Sequence, residues 1–276
     1  MIRPGLWLAA LAACLWPCLA GAGNLELDGE LTQGGVVFGT TDPGARVVLG
    51  RTPLRVSADG RFLFGFHRDA PARALLSVTY PDGETERFNL TVTKRRYETQ
   101  RIDGLPGALV TPPVGVLARI KREQALVQEA RGNDRNEPLF ESGFVWPLEG
   151  VVTGVYGSQR ILNGKPRQPH YGIDIAAPTG TPVLAPADGV VVLAEPDLYF
   201  SGGTLILDHG HGLSSAFLHL ETLDKAVGER VAQGERIATV GATGRVTGAH
   251  LDWRMNWFEA RIDPALLVGP MPGAAQ

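Results

Sequence analysis

Five of the six histidines in this 276-residue chain fall after residue 169, and acidic residues stand beside several of them. His170 and Asp174 are four apart in His170-Tyr171-Gly172-Ile173-Asp174. His250 and Asp252 are two apart in His250-Leu251-Asp252. On an extended strand, positions i, i+2 and i+4 share a face, so each pair can present an imidazole and a carboxylate to one ion. Both groups are good zinc ligands. His219 follows an apolar run in Phe217-Leu218-His219-Leu220. If His170, Asp174 and Asp252 hold a metal, His219 and His250 flank the water that it activates. A bound divalent ion brings that water's pKa toward neutrality and polarises a neighbouring carbonyl. Imidazoles beside it can orient the water, take its proton and steady the oxyanion. The reaction expected of such a set is hydrolysis of an amide.

The elements that must position these residues are short strands. The chain is 44% hydrophobic and 20% charged, with 35 Gly and 20 Pro, a composition of globular modules rich in turns. Its length fits one large domain or two ordinary ones. The formal charge of -3 leaves no electrostatic footprint for DNA or RNA. Both cysteines, Cys14 and Cys18, precede the body of the chain, which excludes a disulfide scaffold, a thiol nucleophile and Cys-ligated zinc. Arg3, the apolar stretch from Leu6 to Leu19 and the small residues at 20–23 have the layout of a secretory signal peptide over 1–22. A periplasmic or secreted location is therefore expected. Leu11-Ala12-Ala13-Cys14 also resembles a lipobox, with lipid anchoring at Cys14 as the minor alternative. Residues 23–95 alternate short apolar runs with Asp-Pro-Gly and Asp-Gly turns, which predicts a small β-sandwich; the segment resembles immunoglobulin-like modules. Residues 96–143 form a connector. Within it Val116 to Ala130 reads as a helix, with Val116, Leu117, Ile120, Leu126 and Val127 near helical spacing, Pro112-Pro113 before it and Gly132-Asn133-Asp134 ending it. It is either an ordinary packing helix or an arm lying over a cleft. From 144 to 276 short strands return without long helices between them, which excludes a doubly wound nucleotide fold. Gly241 to Gly248 lacks the Gly-Lys-Ser/Thr ending of a phosphate loop and reads as a tight turn.

From about Phe144 to Leu267 the chain resembles the lysostaphin/LytM-type zinc metallopeptidases, which cut peptide bridges in bacterial cell walls. The likeness is carried by Gly172-Ile173-Asp174-Ile175-Ala176-Ala177-Pro178-Thr179-Gly180-Thr181-Pro182-Val183, Asp208-His209-Gly210-His211-Gly212, Leu218-His219-Leu220 and Gly241 to Asp252. It implies a mainly β chain ending in an antiparallel β peptidase domain with the metal in a narrow groove. It further implies that His170 and Asp174 are zinc ligands, with one Zn²⁺ per chain, and that His219 and His250 are the catalytic histidines. His209 and His211 then belong to a Gly-rich turn of the pattern and read as structural. Trp253, Trp257 and Tyr199 are groove or core residues, and Arg160 and Asn163 are candidates for substrate contact. One position departs: the family pattern ends in His-x-His, and Asp252 stands where the third ligand, a histidine, is expected. A carboxylate binds zinc at a similar distance, and an added oxygen donor also suits Mn²⁺. The expected function is a metal-dependent endopeptidase acting on peptidoglycan peptide stems. The alternative is a catalytically degenerate, wall-binding regulator whose partner is another cell-wall hydrolase or a divisome component.

Overall fold

The computed structural model describes residues 23–272; the segment 1–22, expected to be a signal peptide, and with it Cys14, lies outside them. Among the described residues no helix is long and apolar enough to cross a membrane.

The N-terminal strands are short because turn residues recur between them, and they form two antiparallel sheets that share a core. One sheet orders Leu25–Gly29, Val36–Thr41 and Arg61–Gly65. The other orders Thr52–Leu54, Arg46–Leu49, Arg73–Thr79 and Thr85–Thr91. The alternation of inward residues puts Val47, Leu76 and Val78 of one sheet in the same apolar cluster as Val37, Phe62 and Phe64 of the other. The fourth strand pairs with the third, whereas an immunoglobulin constant domain keeps its fourth strand on the sheet of the first, second and fifth.

The connector does more than link. Its strand Thr99–Ile102 runs parallel to Gln159–Leu162, with Ile102 opposite Leu162. After a single helical turn at Gly107–Val110, the helix Leu117–Arg131 begins where Pro112-Pro113 has stopped the preceding chain and ends at Gly132. Ile120 and Ala130 are buried, and Val127 packs beside Ala130 on Ile206, Ala216 and Leu218. Leu117 and Leu126, expected on the packed face, remain exposed. The helix docks on a narrow strip of sheet, not on a full core, and it is the 127/130 edge that joins the apolar cluster there.

The C-terminal region is built on one large antiparallel sheet, with Gln159–Leu162 and Lys165–Pro166 in the separate small sheet that the connector strand joins. Its main path runs Arg230–Val231, Gly189–Leu198, Gly202–Gly210, Leu213–Leu223, His250–Trp257, Gly172–Ala176 and Val151–Gly154. The central strands lose the usual inside/outside alternation because both faces are covered. Leu205, Leu207 and Phe217 enter the main core, while Ile206, Ala216 and Leu218 meet the connector helix. The same two-residue period sorts the strands that carry the chemistry. Leu251, Trp253, Met255 and Trp257, like Ile173 and Ile175, point into the core. His250, Asp252 and Arg254, with Gly172 and Asp174, are left for the opposite face. Trp253 is fully buried and Trp257 nearly so; both are core residues.

Candidate metal centre

Register does the first part of the assembly. Asp174 lies directly opposite Asp252 on the adjacent antiparallel strand, and Leu218 lies opposite Asp252 on the other side. His170 enters from the turn before Gly172–Ala176, with Nε2 at 3.1 Å from Asp174 Oδ1. One donor atom each from His170, Asp174 and Asp252 lie within 4.8 Å of one another, and all three residues are buried. Both ring nitrogens of His170 and Oδ1 of Asp174 are buried with no hydrogen-bond partner. Native interiors rarely leave such atoms unsatisfied. Two glycines make the room: a Cβ on Gly154 would sit 2.3 Å from Asp174 Oδ2, and one on Gly172 would sit 2.6 Å from Asp252 Oδ1. An imidazole and two carboxylates converging here, with the His170 nitrogens and Asp174 Oδ1 unpartnered, fit a divalent ion such as zinc.

Two arginines share these carboxylates, and neither pairing was evident beforehand. Arg160 donates to Asp174 Oδ2. Arg254, two residues from Asp252 and so on its face, holds both oxygens: Nε lies 2.9 and 3.1 Å from Oδ1 and Oδ2, and a terminal nitrogen lies 2.6 Å from Oδ2. Burial opposes ionisation of Asp252, yet Arg254 and His170 hold its carboxyl far below the usual range. Burial and Asp252 push Asp174 upward, but His170 and Arg160 leave it net below its ordinary value. Both carboxylates are ionised at neutral pH. A carboxylate has about four lone-pair sites, so Asp252 can serve Arg254 and an ion together.

His219 and His250 stand together beside this set, ring centroids 4.9 Å apart. His219 Nδ1 donates to the Thr243 carbonyl at 2.8 Å, and His250 Nδ1 donates to the Gly248 carbonyl at 2.9 Å. A carbonyl only accepts, so each Nδ1 carries a proton and Nε2 is left as the nitrogen of each ring that can exchange one. His250 Nε2 faces Asp174 Oδ1 at 3.8 Å. Burial brings the His219 pKa down to about 4, the nearby His250 lowering it further, so this ring is neutral at pH 7. Its backbone is left-handed, φ 65°, a conformation that costs a non-glycine residue on the order of 1–2 kcal/mol and clusters at functional sites. Thr243 pins the arrangement: its hydroxyl accepts from Gly203 N and donates to the Leu220 carbonyl, both at 2.9 Å.

The remaining candidates are spent elsewhere. His209 is satisfied on both nitrogens by the Asp188 carbonyl and Ser215 Oγ, and His211 bonds the Asn136 carbonyl and packs on Phe140. His67 lies against Tyr171. Asn163 uses its amide on both backbone groups of Leu105, at 2.7 and 3.2 Å, and so holds the connector to the sheet. Tyr199 donates to the Ala108 carbonyl.

The model for "Peptidase family M23" matches residues 168–264, a span containing all five of these histidines and aspartates. A Pseudomonas aeruginosa crystal structure assigned to peptidase M23 is 30% identical, and the match covers 87% of this chain and 96% of that one with a TM-score of 0.67. The chain belongs to peptidase family M23. Two curated relatives are also similar to it. The cell division protein DipM of Caulobacter vibrioides is 34% identical over 58% of this chain and 25% of its own length. The peptidoglycan DD-endopeptidase ShyA of Vibrio cholerae is 41% identical over 32% of this chain and 20% of its own. The match therefore spans a quarter or less of either relative. In the M23 region of this chain the candidate metal-binding trio lies between two cavities. One, of about 310 Å³, is reached by Asp174, His219 and His250; the other, of about 580 Å³, is reached by His170, His219 and Asp252 and is walled by the connector helix. Arg160, Arg245 and His219 line both, so the M23 site is the middle of a groove, not its end.

Proposed function

We propose that the chain is a zinc-dependent endopeptidase that hydrolyses peptide cross-links of peptidoglycan outside the cytoplasmic membrane. The observation that supports this most directly is the convergence of His170, Asp174 and Asp252 beside two imidazoles, His219 and His250, each anchored through Nδ1 and both lining one groove. His170, Asp174 and Asp252 would hold the metal, which when bound supplies a Lewis acid and a water of lowered pKa. His219, kept neutral by burial, accepts a proton at Nε2, and the Thr243 carbonyl fixes the ring while it does so. His250, with its own Nε2 free and Nδ1 anchored on Gly248, is the second imidazole able to pass a proton toward the departing amine or steady the oxyanion. Arg160 and Arg254 hold the two carboxylates in register. Nothing at the site favours Mn²⁺ over Zn²⁺.

A second reading follows from one observation: Arg254 already occupies both oxygens of Asp252. In that reading the guanidinium replaces the metal's charge, and the groove binds wall peptides or a hydrolase partner without cleaving. Mass spectrometry of cross-linked muropeptides incubated with zinc-loaded and chelated protein separates the two. Zinc-dependent release of uncrosslinked peptides, absent with Asp252→Ala, is the expected result. Intact cross-links under zinc, with binding retained, would move the assignment to the regulator.

A further inference from the structure

The larger cavity carries charge that the metal centre does not use. Six arginines line it: Arg131, Arg160, Arg167, Arg245, Arg254 and Arg261. Arg160 and Arg254 are paired with Asp174 and Asp252. Among the described residues the other four have no carboxylate within 4.0 Å. The acids lining the cavity do not balance them. Glu123 is taken by Arg119 at 2.5 Å and by Tyr199 N, Asp252 by Arg254, and Glu259, which attracts Arg131 and Arg261 from a distance, is exposed and pairs with neither. Arg167 donates to the neutral carbonyls of Pro166 and Val110, Arg245 to that of Leu109, and Arg261 to the neutral Asn256 Oδ1 at 3.4 Å. Arg131 Nε is buried with no partner.

Such a cluster is costly to assemble. Desolvation, then the neighbouring Arg261 and Arg254, depress the Arg131 pKa well below its ordinary value. Arg245 and Arg261 are pushed down to about 10 by burial and by Arg254. A cation near a helix C-terminus gains from the dipole, which accounts for an arginine at 131 but not for its standing beside Arg261 and Arg254 with no carboxylate of its own. Unfavourable local charge of this kind is retained where a ligand supplies what is missing. The missing species is an anion small enough for the cavity, adjacent to His170, His219 and Asp252. A guanidinium fork matches a carboxylate in plane and spacing.

We propose that Arg131, Arg245 and Arg261 form a carboxylate-binding site beside the metal centre, which recognises a free carboxylate on the peptide in the groove. Arg131 comes from the connector helix, so the helix contributes part of the binding site as well as its wall. The carboxylate is either the C-terminus of the peptide or an acidic side chain within it. This rests on the groove being the peptide site of the proposed peptidase, and the test is built so that the two can fail separately.

Binding is measured on the full mature chain, chelated so that no turnover occurs, by calorimetry with three synthetic tetrapeptides. One has a free C-terminal carboxylate, one is its C-terminal amide, and one is the amide with a single side-chain carboxylate. The free acid should bind roughly 10- to 100-fold tighter than the neutral amide, the range for a hydrogen bond to a charged group. Arg131→Gln and Arg261→Gln should each erase most of that difference while leaving the neutral amide's affinity unchanged. Recovery of tight binding by the side-chain acid assigns the carboxylate to the interior of the peptide; no recovery assigns it to the terminus. Both variants should melt at or above the parent temperature, because each relieves repulsion among like charges. Equal affinity for acid and amide would overturn the proposal, as would variants that weaken all three peptides alike or that unfold. A carboxylate preference without zinc-dependent cleavage leaves the binding site standing and the peptidase reading fallen; cleavage without the preference does the reverse.

Discussion

Asp174 and Asp252 stand directly opposite each other on neighbouring strands, where like charges destabilise a sheet unless a cation lies with them. Arg160 and Arg254 meet part of that need, and the orphaned Asp174 Oδ1 and His170 nitrogens mark the part left open. Asp252→Asn keeps the size and removes the charge. It should lower zinc affinity at least 100-fold in a chelator competition, beyond what a lost supporting contact costs, and reduce cleavage in proportion. Unchanged zinc affinity would show that Asp252 serves Arg254 alone. His219 makes a second, signed statement. Its pKa is depressed to about 4 by burial, so the neutral base persists down to that pH. Activity in its rate profile should hold through pH 6.5, where an ordinary histidine protonates, and be lost as pH falls through about 4. His219→Ala should cost 10²- to 10⁴-fold in kcat with little change in melting temperature; an acid limb near 6.5 would remove His219 as the base. The five histidines and aspartates were legible because their types are chemically distinctive and a two-residue period tells which of them share a face. Arg254 obeys the same parity with Asp252 and could have been read from it. Thr243 could not, because it acts through its backbone carbonyl, and any residue type carries one.

Helix and strand differ in how plainly they announce themselves. The helix Leu117–Arg131 lies within a residue of its expected span because Pro112-Pro113 and Gly132 are hard local stops. Its packed face was harder to read, since Leu117 and Leu126 are apolar by type yet find nothing to cover them. The strand Thr99–Ile102 gave no signal at all. Thr-Gln-Arg-Ile carries little hydrophobic pattern, and the strand exists through backbone pairing with Gln159–Leu162, a tertiary event. Asn163 then ties the next residues down by its two bonds to Leu105. Its own φ is 46°, which glycine adopts freely. Asn163→Gly therefore removes the two side-chain bonds without straining the turn. The expected cost is about 1–2 kcal/mol in urea unfolding. It should be accompanied by faster amide exchange at Leu105 and across Thr99–Ile102. A variant with parent stability and exchange would mean that the parallel strand holds the connector unaided.

The sandwich and the M23 region are joined by more than the connector. Asp263 is almost fully buried and pairs with Arg95 at 2.7 Å, while its backbone N–H donates to the Gly34 carbonyl. Arg68 Nε donates to the Gly157 carbonyl at 2.7 Å and lies over the Tyr97 ring. Gly65 brings the edge of one sandwich strand so near that a Cβ would fall 2.4 Å from Ile262 Cδ1. Apolar side chains of both regions form one buried cluster, from Phe62 and Phe64 through Trp257 and Ile262. Modules joined only by a tether unfold independently, whereas modules sharing a core and a buried ion pair gain or lose each other's stability. Calorimetry of the chain should therefore give one transition whose van't Hoff and calorimetric enthalpies agree. Arg95→Met keeps the aliphatic reach but leaves Asp263 buried without its cation, at a cost on the order of 3 kcal/mol. It should lower the melting temperature and split the transition as the regions uncouple. Asp263→Asn retains the shape without the charge, so it should be milder and keep the single transition. Two resolved transitions in the parent chain would mean that the shared cluster does not couple the halves. The metal centre would then depend for its rigidity on the C-terminal sheet and the connector alone.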